Sequence, residues 1–324
     1  MNKPHHTKTG FQNLSFTPQL TEGHSMLSVM KDFFTRGKSV LPPAKLPSVK
    51  TDLKHYHSKT PAVFWFGHSS YLIHCNGINI LVDPVFSVHA SHLSCYRKAF
   101  KGSDVYKAAD MPTIDILIIT HNHYDHLDTA TIKTLAPVTK QFIMPLGVSK
   151  SLGKTGALNK PFREMDWWQH LKISTNIELV CTPARHFSGR GLKRNGSLWA
   201  SFVLMINGYK IFIGSDSGYD THFTEIGKQY GPIDIAMLEC GQYNEAWRYI
   251  HSMPEELITE GKDLQAKVLM PVHWGKFSLA LHNWDEPIQR FTEAAKSAGV
   301  DYTTPMIGEA VVLDVHYPKM EWWK

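Results

Sequence analysis

No apolar run in this 324-residue chain approaches the ~20 residues that a membrane-spanning helix needs. The amino-terminus, Met1-Asn2-Lys3-Pro4-His5-His6, lacks the apolar core of a secretory signal. Both absences predict a cytoplasmic chain, although neither excludes one that rests peripherally on a membrane surface. Cysteine is scarce: Cys75, Cys95, Cys181 and Cys240 lie far apart with no Cys-x-x-Cys pair. Disulfide frameworks belong mainly to small secreted chains, so this usage suits a reducing compartment. No dense Lys/Arg block exists, and the balance of 34 basic to 29 acidic residues leaves a mild net charge of +5. Nucleic acid is therefore not an expected partner. Internal repeats, low-complexity tracts and the nucleophile elbow of a serine hydrolase are missing too.

What is present is an ordinary globular mixture, 43% hydrophobic and 19% charged, with enough apolar content for a sizeable core. Its 9 Trp and 16 Phe are expected chiefly in that core. Residues 1–60 mix polar, Pro and Lys positions with little periodicity and read as an arm packing on the body, 61–324. Short strands are expected at 62–66, 71–75 and 78–82, the last two joined by Asn76-Gly77, a strong hairpin signal. Further apolar runs rich in Ile, Val and Phe fall at 114–119, 142–144, 177–181, 199–206, 210–213, 233–238 and 268–272. Helical segments are expected at 129–135, 221–230, 254–264 and 287–298, with Pro254 and Pro287 in first-turn positions. Hairpins first and strand–helix alternation later predict two facing sheets with helices outside, not one doubly wound sheet.

Directly after the run 114–119 comes Thr120-His121-Asn122-His123-Tyr124-Asp125-His126-Leu127-Asp128. Imidazole nitrogens and carboxylate oxygens are the usual ligands of zinc and related divalent ions. Alternation on an extended segment would turn His121, His123 and Asp125 to one side, with His126 following as the chain bends. Four ligands in one loop suggest two metals, which require more donors elsewhere. His186, Asp216 and His273 each sit just past the end of another apolar run, where loops gather around a site. Singly, His186 and His273 also read as packing residues and Asp216 as a turn residue; the joint pattern favours ligands. The glycines and serines around Asp216 suit a tight turn that brings backbone close to something bound. His68 reads equally as a residue behind the metals or as a structural histidine. Asp83 is expected to hold loops beneath the site, and Asp128 to be structural.

The order His-x-His-x-Asp-His followed by a distant His, Asp and His resembles the metallo-β-lactamase superfamily. Within it, residues 60–312 are similar to the N-acylphosphatidylethanolamine-hydrolysing phospholipase D family and its bacterial relatives. The resemblance is carried by Trp65-Phe66-Gly67-His68-Ser69, Asp166-Trp167-Trp168, Glu225-Ile226-Gly227-Lys228 and His273-Trp274-Gly275-Lys276-Phe277 beside the metal motif. It implies an α/β fold, the αβ/βα four-layer sandwich with two facing mixed sheets and helices outside. It also implies two Zn2+ ions at one edge, with other divalent metals an alternative. His121, His123 and His186 would hold one ion, Asp125, His126 and His273 the other, and Asp216 would bridge them. His251 matches a family histidine near the substrate and is a candidate for handling a proton. Residues 1–60 and 244–247 match the family little.

The implied function is a dinuclear zinc hydrolase that cleaves a phosphodiester by phospholipase D-type hydrolysis of N-acylphosphatidylethanolamine or a related glycerophospholipid. Catalytic roles are expected for Asp125, Asp216 and His251. Alternatives are a lactonase or sugar-phosphate hydrolase on the same fold, since the same metals polarise a carbonyl as readily, and a metal-binding relative without turnover. An oxygen-reducing di-iron protein is disfavoured by His123, where a carboxylate would be expected.

Overall fold

The computed structural model describes residues 4–90, 98–191 and 193–324, so Cys95 lies outside the described residues. Its strands in chain order are β1 (Ala62–Trp65), β2 (Tyr71–Cys75), β3 (Ile78–Val82), β4 (Ile114–Ile118), β5 (Thr139–Pro145), β6 (Phe162–Met165), β7 (His170–Ser174), β8 (Ile177–Thr182), β9 (Gly189–Arg190), β10 (Lys193–Arg194), β11 (Ser201–Ile206), β12 (Tyr209–Ile213), β13 (Ile233–Glu239), β14 (Ala266–Val272) and β15 (Ala310–Val312). The helices are α1 (Met26–Thr35), α2 (Thr129–Leu135), α3 (His222–Tyr230), α4 (Glu256–Asp263) and α5 (Glu286–Ala298).

Two mixed sheets result. One runs β15-β1-β2-β3-β4-β5-β6 and the other β14-β13-β12-β11-β8-β7. In each, an antiparallel hairpin half passes into a parallel half: β3, β4, β5 and β6 pair in parallel, as do β12, β13 and β14. Parallel strands are covered on both faces and need continuous apolar runs, which Ile116-Leu117-Ile118 and Ile235-Ala236-Met237-Leu238 supply. One apolar cluster joins the inward side chains of both sheets with faces of α3, α4 and α5. Asn76-Gly77 closes the β2–β3 hairpin with both residues at positive φ, as the two-residue turn requires.

The differences from expectation are local. β5 is seven residues rather than three, because the polar Thr139, Lys140 and Gln141 extend the pairing without apolar signal. Short strands β6, β7, β9, β10 and β15 were not anticipated from composition. Pro254 stands before the helix and not in its first turn: α4 begins at Glu256 behind Glu255. Pro287 is in the first turn of α5.

The largest omission is α1. Ser25 and Ser28 form a reciprocal capping box at its start. Val29 is buried and Phe33 stacks on Trp247 at 6.4 Å, yet Met26, Leu27, Met30 and Phe34 remain exposed. Met26, Leu27, Val29, Met30, Phe33 and Phe34 recur at helical spacing with Ser28, Lys31, Asp32 and Thr35 opposite, a period that the reading of residues 1–60 as an arm with little periodicity passed over.

Candidate metal centre

Three strands of the parallel halves, β4, β12 and β14, and β8 from the antiparallel half end at one edge, and the site residues follow those ends. His121 to His126 follow β4, His186 follows β8, Asp216 follows β12 and His273 directly follows β14. Ligands in open α/β sheets bind beyond such carboxyl ends. All seven expected ligands converge there, in two groups of donor atoms each within 4.8 Å: His121, His123, His186 and Asp216, and His68, Asp125, His126 and His273. The loop after β4 divides between them, because His126 and Leu127 donate their N–H groups back to His123 O and turn the chain. Asn122 points the other way, toward Ser151 and the Gly189 N–H.

Several of these side chains are held by neighbouring groups. Asp83 accepts from Thr120 N and Oγ1 at 2.8 and 2.5 Å, and from His126 Nδ1 at 2.8 Å. With Nδ1 engaged there, His126 turns its Nε2 toward the site. His186 Nδ1 likewise donates to Ile250 O at 2.8 Å. Ser69 Oγ lies 2.8 Å from His273 Nδ1, and His68 Nε2 donates to Asp125 Oδ2 at 2.9 Å. Asp128 caps α2 and accepts from Ser87 N, a structural role. The loops carrying His68 and His273 are tied by reciprocal backbone bonds, His68 N to Trp274 O and His273 N to His68 O. His68, Asp83 and His273 all hold positive φ (53°, 38° and 67°). Such backbone costs about 1–3 kcal/mol per residue and persists where packing over-determines it.

A divalent cation fits this donor set. His123 Nδ1 lies 2.9 Å from His121 Nε2 and 3.2 Å from His186 Nε2. Three ring nitrogens in that space suit one cation better than shared protons. His126 Nε2 and Asp216 Oδ1 are buried and 3.1 Å apart, but neither has a hydrogen-bond partner among the described residues. Buried polar atoms are rarely left so. Burial, with neighbouring rings, holds His121 and His186 well below the usual imidazole range and His123 at about 4, so all three present lone pairs. His126 is raised well above it: against burial, Asp216 and Asp125 demand positive charge between them.

His251 stands beside the cluster, its ring 5.0 Å from that of His186. Its partner is Glu239, the final residue of β13, which sequence reading missed. Glu239 Oε2 accepts from His251 Nδ1 at 2.9 Å, and Oε1 accepts from Ser217 N and Ser252 N at 3.0 Å each. Burial pushes Glu239 up to about 7, while Glu239 and Asp216 outweigh burial and lift His251 to about 9. The signal was available: Glu239 also ends an apolar run. The expectation that the glycines around Asp216 approach something bound needs correction. A Cβ on Gly214 would lie 2.2 Å from Met237 O, and one on Gly218 2.3 Å from Tyr249 O, so both serve close packing of neighbouring backbone.

A cavity of about 270 Å³ opens over His123, Asp125, His186, Asp216, His251 and His273. Its other walls are largely apolar, with Leu20, Met26, Val29, Trp247, Ile250 and Leu279 among them.

Two facing mixed sheets with a His/Asp cluster at their carboxyl edge define a metal-dependent hydrolase fold. Residues 78–274 match the model of the Beta-lactamase superfamily domain, and the chain belongs to the metallo-β-lactamase superfamily. It is 34% identical over 326 residues to an uncharacterized protein of Mycobacterium tuberculosis, covering 99% of this chain and 87% of that one. Its homologues include the mitochondrial N-acyl-phosphatidylethanolamine-hydrolyzing phospholipase D of Saccharomyces cerevisiae, 34% identical over 245 residues, covering 72% of this chain and 52% of that protein. A metallo hydrolase from the archaeon Ignicoccus hospitalis shares the fold with a TM-score of 0.60 at 20% identity, covering 79% of this chain and 100% of that one.

Proposed function

We propose that the protein is a dinuclear zinc phosphodiesterase that cleaves N-acylphosphatidylethanolamine or a related glycerophospholipid on the headgroup side of phosphorus, as a phospholipase D does. One Zn2+ would be held by His121, His123 and His186, the other by Asp125, His126 and His273, with Asp216 between them. Bound there, two such ions supply Lewis acidity, bringing water's ionisation toward neutral pH and offsetting phosphoryl charge. Asp216 orients the attacking water, and Asp125 accepts its proton. His251, held through Nδ1 by Glu239, gives its Nε2 proton to the departing alkoxide oxygen.

The apolar wall of the cleft carries the lipid reading. A small polar pocket would suit a lactone or sugar phosphate, whereas Leu20, Met26, Val29, Trp247, Ile250 and Leu279 suit acyl chains. The exposed Leu27, Met30 and Phe34 on α1 continue that apolar surface from the rim, which supports a peripheral contact with a bilayer. No helix among the described residues is long and apolar enough to cross a membrane. On this reading the chain works from the cytoplasm at a membrane surface, and nucleic acid has no part in it.

The test is product analysis with zinc-reconstituted protein on vesicles containing N-acylphosphatidylethanolamine. Release of N-acylethanolamine together with phosphatidic acid is expected, abolished by His123→Ala or Asp216→Asn. Turnover of a lactone panel with no release from lipid diesters would overturn the reading in favour of a lactonase.

A further inference from the structure

His186 lies in a loop without regular backbone pairing, yet its N–H and its C=O are both held by one distant side chain. Asn13 Nδ2 donates to His186 O at 2.7 Å, and Asn13 Oδ1 accepts from His186 N at 3.1 Å. These are the only partners that the His186 backbone has among the described residues. Asn13 Oδ1 also accepts from Trp199 Nε1 at 3.1 Å, and that indole donates to Ala184 O at 2.9 Å within the same loop. A primary amide offers a donor and an acceptor side by side, matching the C=O and N–H of one residue. Asp lacks the donor and would set a carboxylate against the His186 carbonyl; Leu has the shape without either group.

The segment bearing Asn13 is itself fastened at both ends. His5 and His6 donate to the two oxygens of Asp166 at 2.7 and 3.0 Å, and the His5 ring packs on Trp167 at 4.4 Å. Phe11 N donates to Asn195 O at 2.9 Å. Beyond Asn13, Arg185 reaches Phe16 O and Thr17 Oγ1 at 2.9 and 3.0 Å. Thr21 N then donates to Ala246 O at 2.8 Å. Between these anchors Gln19 and Leu20 line the cavity.

We propose that Asn13 is a positioning residue for His186, and that residues 13–20 complete the hydrolytic site as one of its walls. The proposal rests on the reading of His186 as a metal ligand. With its Nδ1 on Ile250 O and its peptide on Asn13, the imidazole has one orientation, and Nε2 is aimed at His123 before any cation arrives. Releasing the peptide frees the ring to swing, so the loss falls on the three-histidine donor set and spares Asp125, His126 and His273.

The test compares wild type, Asn13→Leu and the milder Asn13→Asp in full-length protein. Amide hydrogen exchange is followed in the metal-free form, and Co2+ titration by d–d absorption and chelator competition in the loaded form. In Asn13→Leu the His186 N–H is expected to exchange at least tenfold faster while β4 amides keep wild-type protection. One of two Co2+ ions should weaken at least tenfold and the other should not change. Asn13→Asp, which keeps the acceptor, should retain His186 N–H protection and show a smaller metal loss confined to the same ion. Unchanged exchange and unchanged affinities in both variants would overturn the proposal. So would equal weakening of both ions alongside a general loss of thermal stability, the mark of a merely structural residue. Absence of Co2+ binding by wild type would overturn the metal reading instead, and the exchange comparison in metal-free protein would still decide the clamp.

Discussion

Glu239 and Lys276 are both buried charges behind the site, and they make different demands on the protein. Glu239 orients His251 and offsets its proton, so Glu239→Gln should lower turnover by about 10–100-fold. His251→Gln should cost more, about 10²–10⁴-fold in kcat, if the ring delivers a proton to the leaving group. Steady-state kinetics on a phosphodiester distinguishes them: equal, negligible effects would remove both from the mechanism. Lys276 Nζ donates to two carbonyls, Phe66 O at 3.1 Å and Val85 O at 2.7 Å, near the Phe86 and Phe277 rings at 5.7 and 5.8 Å, and burial holds it down at about 7. An unfolded lysine binds its proton up to about pH 10.4, so between there and 7 unfolding takes up a proton. Stability from this residue is present above that window and is lost as pH falls through it. Lys276→Met abolishes the linkage, so variant stability relative to wild type should decline from pH 7 to pH 10, by an amount on the order of a few kcal/mol. Parallel stability curves would show that Lys276 keeps an ordinary lysine pKa. The legibility of residues follows the same division. His121, His123, Asp125 and His126 announced themselves by spacing, and His186, Asp216 and His273 by ending apolar runs. Asn13 and Ser69 act through hydrogen bonds to residues 173 and 204 positions away, for which a sequence carries no local mark.

Among elements, β3, β4, β12, β13 and β14 in the parallel halves were legible, because their buried stretches draw on Ile, Val and Leu, whereas β6 of the same half, mostly half-buried or exposed at the sheet edge, was missed. Edge strands such as β7, with exposed and half-buried residues alternating, carry a weaker pattern. α1 was missed although its sequence carries a helical period: its single broad apolar face is only partly covered by the body, and the rest of it is turned outward. That outward face also gives α1 its test. Met30 and Phe34 are four residues apart and share one side of the helix. Both are exposed, and neither lines the cavity. Each would gain about 1.5–3 kcal/mol on entering a bilayer interface. Met30→Asp with Phe34→Asp should therefore weaken vesicle binding in a sedimentation assay by about 10²-fold or more. Turnover of a water-soluble phosphodiester should stay at the wild-type level. Undiminished vesicle binding would exclude α1 as the membrane contact.

At the scale of the whole molecule, two half-parallel sheets bring seven candidate ligands from four strand ends to one edge, with the arm and α1 closing the cleft above them. Legibility was high here, since ligand order and strand order together specify the architecture. How residues 4–60 cross the site was not legible, because those contacts join residues more than a hundred positions apart, as His5 to Asp166, Phe11 to Asn195 and Asn13 to His186. The buried cluster has carboxylates and bare imidazole nitrogens in excess of the protons that could pair them, which is the physical reason for assigning it cations. Metal analysis of the purified, zinc-reconstituted protein tests that claim most directly. The account predicts two zinc ions per chain in wild type, with at least one lost in Asp216→Asn and in His123→Ala while both variants keep their fold. A folded wild-type protein that retains less than one ion per chain after reconstitution would contradict it.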